Sequence, residues 1–221
     1  MRLFFCLMIG LFSVQAIADD SADTYKPNGN YSYIEIGLIK TTEATPICSG
    51  INSTECYKTI HGSELTASLQ FSSFPHLLIS ASSTSQGASG DNYSLTSSVG
   101  KILIGLVGGF GPIDALVSVS SLNTDVLTCP NGSNNCQIIL ENGTDYGAMA
   151  KLWMGVDKNF NIGITVDRYS YSPSSANIST SIFGTWLPAT HHSLAVSYNS
   201  AMDINGTSIS NGGSLSYAYL F

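Results

Sequence analysis

Charge is scarce in this chain. Only 10% of its residues are Asp, Glu, Lys or Arg, whereas a soluble domain keeps about a quarter charged to hold water at its surface. Long apolar runs are scarce too, and beyond the first 18 residues none is long enough to cross a bilayer as a helix. The four histidines stand in no metal-ligand spacing with one another or with cysteine, and no Gly-rich phosphate loop or cofactor motif occurs. Eight basic residues face fifteen acidic ones, a formal charge of −7. That excludes a nucleic-acid partner, because a phosphate-binding surface needs clustered Lys and Arg. No cofactor and no metal are expected.

What the chain has instead is Ser, Thr, Asn and Gly, with a mean hydropathy of +0.18. An apolar average with so little charge fits a surface that faces lipid. The first residues read as an export signal: Arg2 supplies the positive start, Leu3 to Ile17 is mostly apolar, and Ala16-Ile17-Ala18 is a small-x-small cleavage pattern. Cleavage after Ala18 removes Cys6, which stands too early to be a lipoprotein acylation site. Residues 19–30 are then expected to form a short periplasmic segment and 31–221 the folded domain.

Four cysteines remain: Cys48, Cys56, Cys129 and Cys136. In an oxidising periplasm disulfides persist, and four cysteines allow three connectivities. Sequence closeness favours Cys48–Cys56 and Cys129–Cys136, each stapling a small loop. Zinc is the weaker alternative, since neither pair has C-x2-C spacing or histidines nearby.

Hydrophobic residues alternate along the remainder. Leu65, Ala67, Leu69 and Phe71 take one side of their segment, and Glu64, Thr66, Ser68 and Gln70 the other. Phe160, Ile162, Ile164 and Val166 do the same against Asn161, Gly163, Thr165 and Asp167. Period two puts one face toward lipid and the other toward a polar interior. Ten strands are predicted, near 31–40, 59–71, 77–84, 92–103, 113–123, 145–156, 160–171, 177–187, 192–200 and 212–221. The fourth is the least regular, because alternation fails from Val99 to Gly109; merging or splitting there gives eight or twelve. The predicted fold is all-β, a transmembrane antiparallel up-and-down barrel in the outer membrane. Short connections alternate with longer ones, such as 41–58 and 124–144, and the longer set, with both cysteine pairs, belongs outside the cell. A soluble β-sandwich or lipocalin-like barrel is the structural rival, but it carries charge on its exterior.

The last strand runs through Leu215, Tyr217 and Tyr219 on one side and stops on Phe221. Tyr217, Tyr219 and Phe221 resemble the membrane-insertion signal by which outer-membrane proteins engage the barrel-assembly machinery, although Ser216 stands where that signal usually has Gly. The first strand, Tyr31-Ser32-Tyr33-Ile34-Glu35-Ile36-Gly37, resembles the Y-x-Y-[IV]-E-x-G opening of a family of small proteobacterial outer-membrane β-barrels, similar in architecture to the OmpX and OmpA barrels but with about ten strands. The match runs in outline over 31–221 and in detail only at the two end strands. The cysteine-bearing loops lie outside the family pattern. The resemblance implies location and fold, with outer-membrane lipid as partner, rather than an activity.

Alternation turns Glu35, Glu64, Lys151 and Asp167 toward the lumen, Glu35 and Glu64 on one pair of neighbouring strands, Lys151 and Asp167 on another. They are candidates for a selectivity path in a narrow channel, or for a salt-bridged network that plugs a barrel scarcely wider than its own side chains. His191-His192-Ser193 contains the His-x-Ser spacing of some lipid A deacylases, in which a His activates a Ser. Leu194-Ala195 departs from the expected continuation, and the motif falls at a periplasmic turn. An omptin-like protease needs acidic pairs and a histidine at the outer rim, where only His61 is near. No catalytic residue is assigned. The leading expectation is a non-enzymatic barrel with a structural role or one that binds host or surface ligands through stapled external loops; a small-solute channel is the alternative.

Overall fold

The computed structural model describes residues 26–48, 56–71, 76–89, 93–130, 136–155, 157–172 and 175–221. The expected leader and cleavage site lie outside them. Ten antiparallel strands, β1 (Tyr33–Cys48), β2 (Cys56–Gln70), β3 (His76–Ser89), β4 (Tyr93–Phe110), β5 (Ile113–Pro130), β6 (Gln137–Met154), β7 (Phe160–Ser172), β8 (Ser175–Ala189), β9 (His192–Asp203) and β10 (Ser208–Leu220), close into one barrel. Each strand pairs with its sequence neighbours, and β1 seals against β10 from Tyr33↔Leu220 to Glu43↔Ser210.

The exterior is written in alternate residues. Ile102, Ile104 and Leu106 on β4, Ile113, Val117 and Val119 on β5, and Phe160, Ile162, Ile164 and Val166 on β7 all stand exposed, while their odd or even neighbours turn inward. In water this surface would be an aggregation hazard; against hydrocarbon it costs nothing. The apolar run gives way to Lys40, Ser63, Ser83, Ser121 and Arg168 on the same outward face. On β7 that spans Phe160 to Val166, about 20 Å measured along the strand at about 3.3 Å per residue, or about 15 Å in height once the strand tilt is allowed for. Phe110, Phe160, Trp186, Tyr217 and Tyr219 edge it at the short-turn end, and Tyr146 and Tyr198 at the other, the aromatic girdles of a membrane-spanning barrel. An even-stranded closed barrel with this exterior is an outer-membrane protein.

Two expectations need correction. The segments read as long loops are largely strand: β1 continues to Cys48, β2 begins at Cys56, β5 reaches Pro130 and β6 starts at Gln137. Their outer ends stand above the lipid belt in water, so they have no reason to alternate and read as loop. β4 also runs unbroken through Val99–Gly109. Its alternation fails because both faces are apolar: Ile102, Ile104 and Leu106 face lipid, while Leu103 and Val107 pack inside with Tyr31, Leu78, Leu116 and Met149. The interior is therefore not polar throughout. The β4–β5 turn places Gly111 at φ 62° ahead of Pro112, the glycine-first pattern of a two-residue type II′ turn.

Candidate functional site

The inward faces of the strands meet a segment that sequence patterning assigned to the periplasm as far as Asn30 and to the first strand from Tyr31. Residues 28–32 fold back into the short-turn mouth around one carboxylate. Asp114, the second residue of β5, is fully buried and accepts five hydrogen bonds: from Asn28 N (2.7 Å), Asn28 Nδ2 (2.9 Å), Gly29 N (3.0 Å), Tyr31 Oη (3.1 Å) and Trp153 Nε1 (2.8 Å). Asn28 Nδ2 also donates to Gly111 O at 2.8 Å, and Lys158 Nζ to Asn28 Oδ1. Gly29 permits the approach: a Cβ there would stand 2.4 Å from the Trp153 ring. Tyr31 N donates to Gln70 Oε1 (3.2 Å), Gln70 N to Ser32 Oγ (3.1 Å) and Asn30 Nδ2 to Phe221 O (2.9 Å), so the plug is tied to β2, β5, β6 and the chain's end.

Above it lies a lower cavity of about 400 Å³, then a second of about 320 Å³; Tyr33, Glu35, Glu64 and Thr165 belong to the walls of both. One side of the lower cavity is apolar, with Leu78, Leu103, Leu116 and Met149; the other is hydroxylated, with Ser181, Ser197, Ser214 and Ser216. Lys151 projects into it and contacts three aromatic faces, its Nζ 4.6 Å from the Tyr31 ring centre, 5.6 Å from Trp153 and 5.7 Å from Phe183. Phe183 reaches it across Gly163, where a Cβ would stand 2.3 Å from the ring. Asn161, between Trp153 and Thr185 in register, is fully buried, and neither its Oδ1 nor its Nδ2 has a hydrogen-bond partner.

Of the sequence-predicted lumen charges, Glu35, Glu64 and Lys151 line the lower cavity, and Glu35, Glu64 and Asp167 the upper. Lys151 and Asp167 do not form a pair. Lys151 stands opposite Gly163 and Asp167 opposite Gly147, four residues further along β7, about 13 Å at strand rise. The ion pair among the described residues is one the sequence reading missed: Lys101 Nζ reaches across β5 to Asp145 Oδ2, which also accepts from Ser120 Oγ at 3.0 Å. Asp114, Tyr31 and Asn161 were missed as well. Tyr31 was visible only as the start of a strand, and Asp114 was not singled out.

The His-x-Ser motif is not assembled for catalysis. Ser193 turns inward into the cavity wall, whereas the His191 ring contacts Leu220 O through Nδ1 (2.9 Å) and stacks on Tyr219. His192 Nδ1 meets the Tyr217 hydroxyl at 2.5 Å and its ring is edge-on to Tyr219. These contacts build the aromatic girdle. Phe221 ends the chain with its N–H on Ser32 O (3.1 Å). Cys129 and Cys136 are joined, stapling the tip of the β5–β6 hairpin. Cys56 is also disulfide-bonded, and its cross-strand partner is Cys48, whose side chain lies outside the described residues. No group of three or more His, Cys, Asp or Glu side chains suited to a metal ion occurs among the described residues.

No family model matches this chain, and no curated protein matches it. Solved structures do. The translocator domain of the autotransporter NalP from Neisseria meningitidis is similar over 100% of this chain and 95% of its own at 9% identity, TM-score 0.49. Ail, the attachment invasion locus protein of Yersinia pestis, is similar over 87% of this chain and 99% of its own at 12% identity, TM-score 0.44. The outer membrane protease OmpT from Escherichia coli is similar over 91% and 99% at 8% identity, TM-score 0.43. At these values the likeness extends to barrel architecture alone.

Proposed function

We propose that this protein is a non-enzymatic surface barrel whose working part is its external hairpins, with the β5–β6 arm foremost. The observation that carries the reading is on β6, where Ile138, Ile139 and Leu140 are 63%, 56% and 70% exposed. They lie fourteen to sixteen residues from the short-turn end of the strand, well above the lipid belt, and consecutive apolar residues on both faces of an arm in water mark a docking surface. The Cys129–Cys136 staple lowers the ordering cost of binding there. The terminal aromatics Tyr217, Tyr219 and Phe221 serve insertion through the barrel-assembly machinery.

The test is adhesion. Cells displaying the protein should bind immobilised matrix proteins or one another more than vector controls, and Ile139→Asp with Leu140→Asp should abolish the gain without altering heat-modifiable migration on gels. Equal adhesion by the double variant would refute the proposal. A channel is the second reading, favoured by the stacked cavities. It requires single-channel steps from the wild type in planar bilayers, where the seated plug makes us expect none.

A further inference from the structure

The lower cavity contains unused hydrogen-bonding groups, sorted by position. On its floor stand donors. Lys151 Nζ lies against three aromatic faces, makes no hydrogen bond, and has no carboxylate oxygen within 4.0 Å among the described residues, although Asp114 is its cross-strand neighbour on β5. Beside it the fully buried Asn161 carboxamide is unpartnered at both atoms. A buried amide with no partner is costly, and its Nδ2 together with the Lys151 ammonium suits a group that accepts hydrogen bonds and bears negative charge. Higher on the wall stand acceptors. Glu35 makes no hydrogen bond among the described residues, and Glu64 accepts one, from Thr66 Oγ1 at 3.2 Å.

Of the other lumen charges, Asp114 has its acceptors filled by the plug and Trp153, Lys101 is paired with Asp145, and Asp167 lines the upper cavity rather than the lower. What remains is a cation with an amide at one level and two carboxylates at the next, separated by the cavity. The opposite wall, Leu78, Leu103, Leu116 and Met149, offers apolar surface. A cavity of about 400 Å³ is of small-ligand size.

We propose that this cavity binds a small zwitterion with an apolar substituent, of the class of an aliphatic α-amino acid. Its carboxylate is received by Lys151 and Asn161, its ammonium by Glu35 and Glu64, and its side chain by the leucine–methionine wall. Neither a simple anion nor a simple cation matches the site. An anion would face Glu35 and Glu64, and a cation would face Lys151. The site is independent of the external hairpins, so the two proposals stand or fall separately.

The test uses the full folded protein in detergent, titrated calorimetrically with three probes of one shape: L-leucine, 4-methylpentanoate and 3-methylbutylamine. L-leucine should bind saturably, and each singly charged probe at least about tenfold more weakly, since each lacks one set of charge-assisted hydrogen bonds. Glu35→Gln with Glu64→Gln should weaken L-leucine about tenfold or more while leaving 4-methylpentanoate equal or tighter, because its repulsion is removed. Lys151→Met should weaken L-leucine and 4-methylpentanoate together. The wild-type probe series needs no variant to fold. No saturable binding of L-leucine, as expected of a cavity that holds only water, would overturn the proposal. So would 4-methylpentanoate binding as tightly as L-leucine.

Discussion

Replacing Asp114 with Ala should unseat the plug without unfolding the barrel. The carboxylate holds five donors on the plug and β6. Three of them, the Asn28 and Gly29 backbone amides and the Asn28 carboxamide, can turn to water once freed. The Tyr31 hydroxyl and the Trp153 indole N–H are buried, and each costs about 1–3 kcal/mol when orphaned. Relief from burying a charge offsets part of this, leaving about 3 kcal/mol against the seated state. At 1.4 kcal/mol per tenfold, the open plug should become about a hundredfold more populated. Amide hydrogen exchange reads this directly, because protection measures local opening. Asn28 and Gly29 should exchange about a hundredfold faster in Asp114→Ala, with strand amides of β7–β9 unchanged, and Asp114→Asn should fall between. Unchanged exchange at 28 and 29 would refute the claim that one carboxylate seats the plug. Global loss of strand protection would refute the claim that the plug is separable from the barrel.

Lys101→Met should lower the urea midpoint in lipid vesicles by the equivalent of about 3–5 kcal/mol, because Asp145 is left as an uncompensated buried charge; adding Asp145→Leu should recover most of it. Asp203, at the β9–β10 turn, accepts from Thr207 N (2.8 Å) and Asn205 N (2.9 Å), and these backbone bonds, Thr207's foremost, hold its carboxyl below the usual value. The turn's support should be complete above the ordinary Asp pKa of about 3.9 and fade as pH falls through the lower folded value; NMR titration of its carboxyl carbon checks this, and a midpoint at or above the ordinary value would contradict it. Cys129→Ser should loosen the β5–β6 arm by about 2–3 kcal/mol, the loop-closure value for so short a ring. Limited proteolysis should then cut this arm faster while the barrel core stays intact.

The barrel could be read in the sequence because lipid imposes one rule on every strand within the belt. Phe160-x-Ile162-x-Ile164-x-Val166 follows it, and so do the terminal Leu215, Tyr217 and Tyr219. The rule stops where the lipid stops, so the outer halves of β5 and β6 read as loop. Inside, the same pattern says which residues face the lumen but not which of them meet. Lys101 finds Asp145 by crossing an intervening strand, and its partner depends on barrel shear, which single strands do not encode. It also sits in the stretch where alternation fails, so it was not taken as a lumen charge. The plug was hidden for a different reason. Asn28, Gly29 and Tyr31 have no periodicity, and their meaning lies in one aspartate more than eighty residues away.

The bonds joining Asn30 and Ser32 to Phe221 make the two ends of the chain a single latch. Asn30 and Ser32 gain these bonds only when β10 has paired with β1, so this mouth of the barrel is fully tied only in the closed circle. An extension fused after Phe221 begins beside this latch.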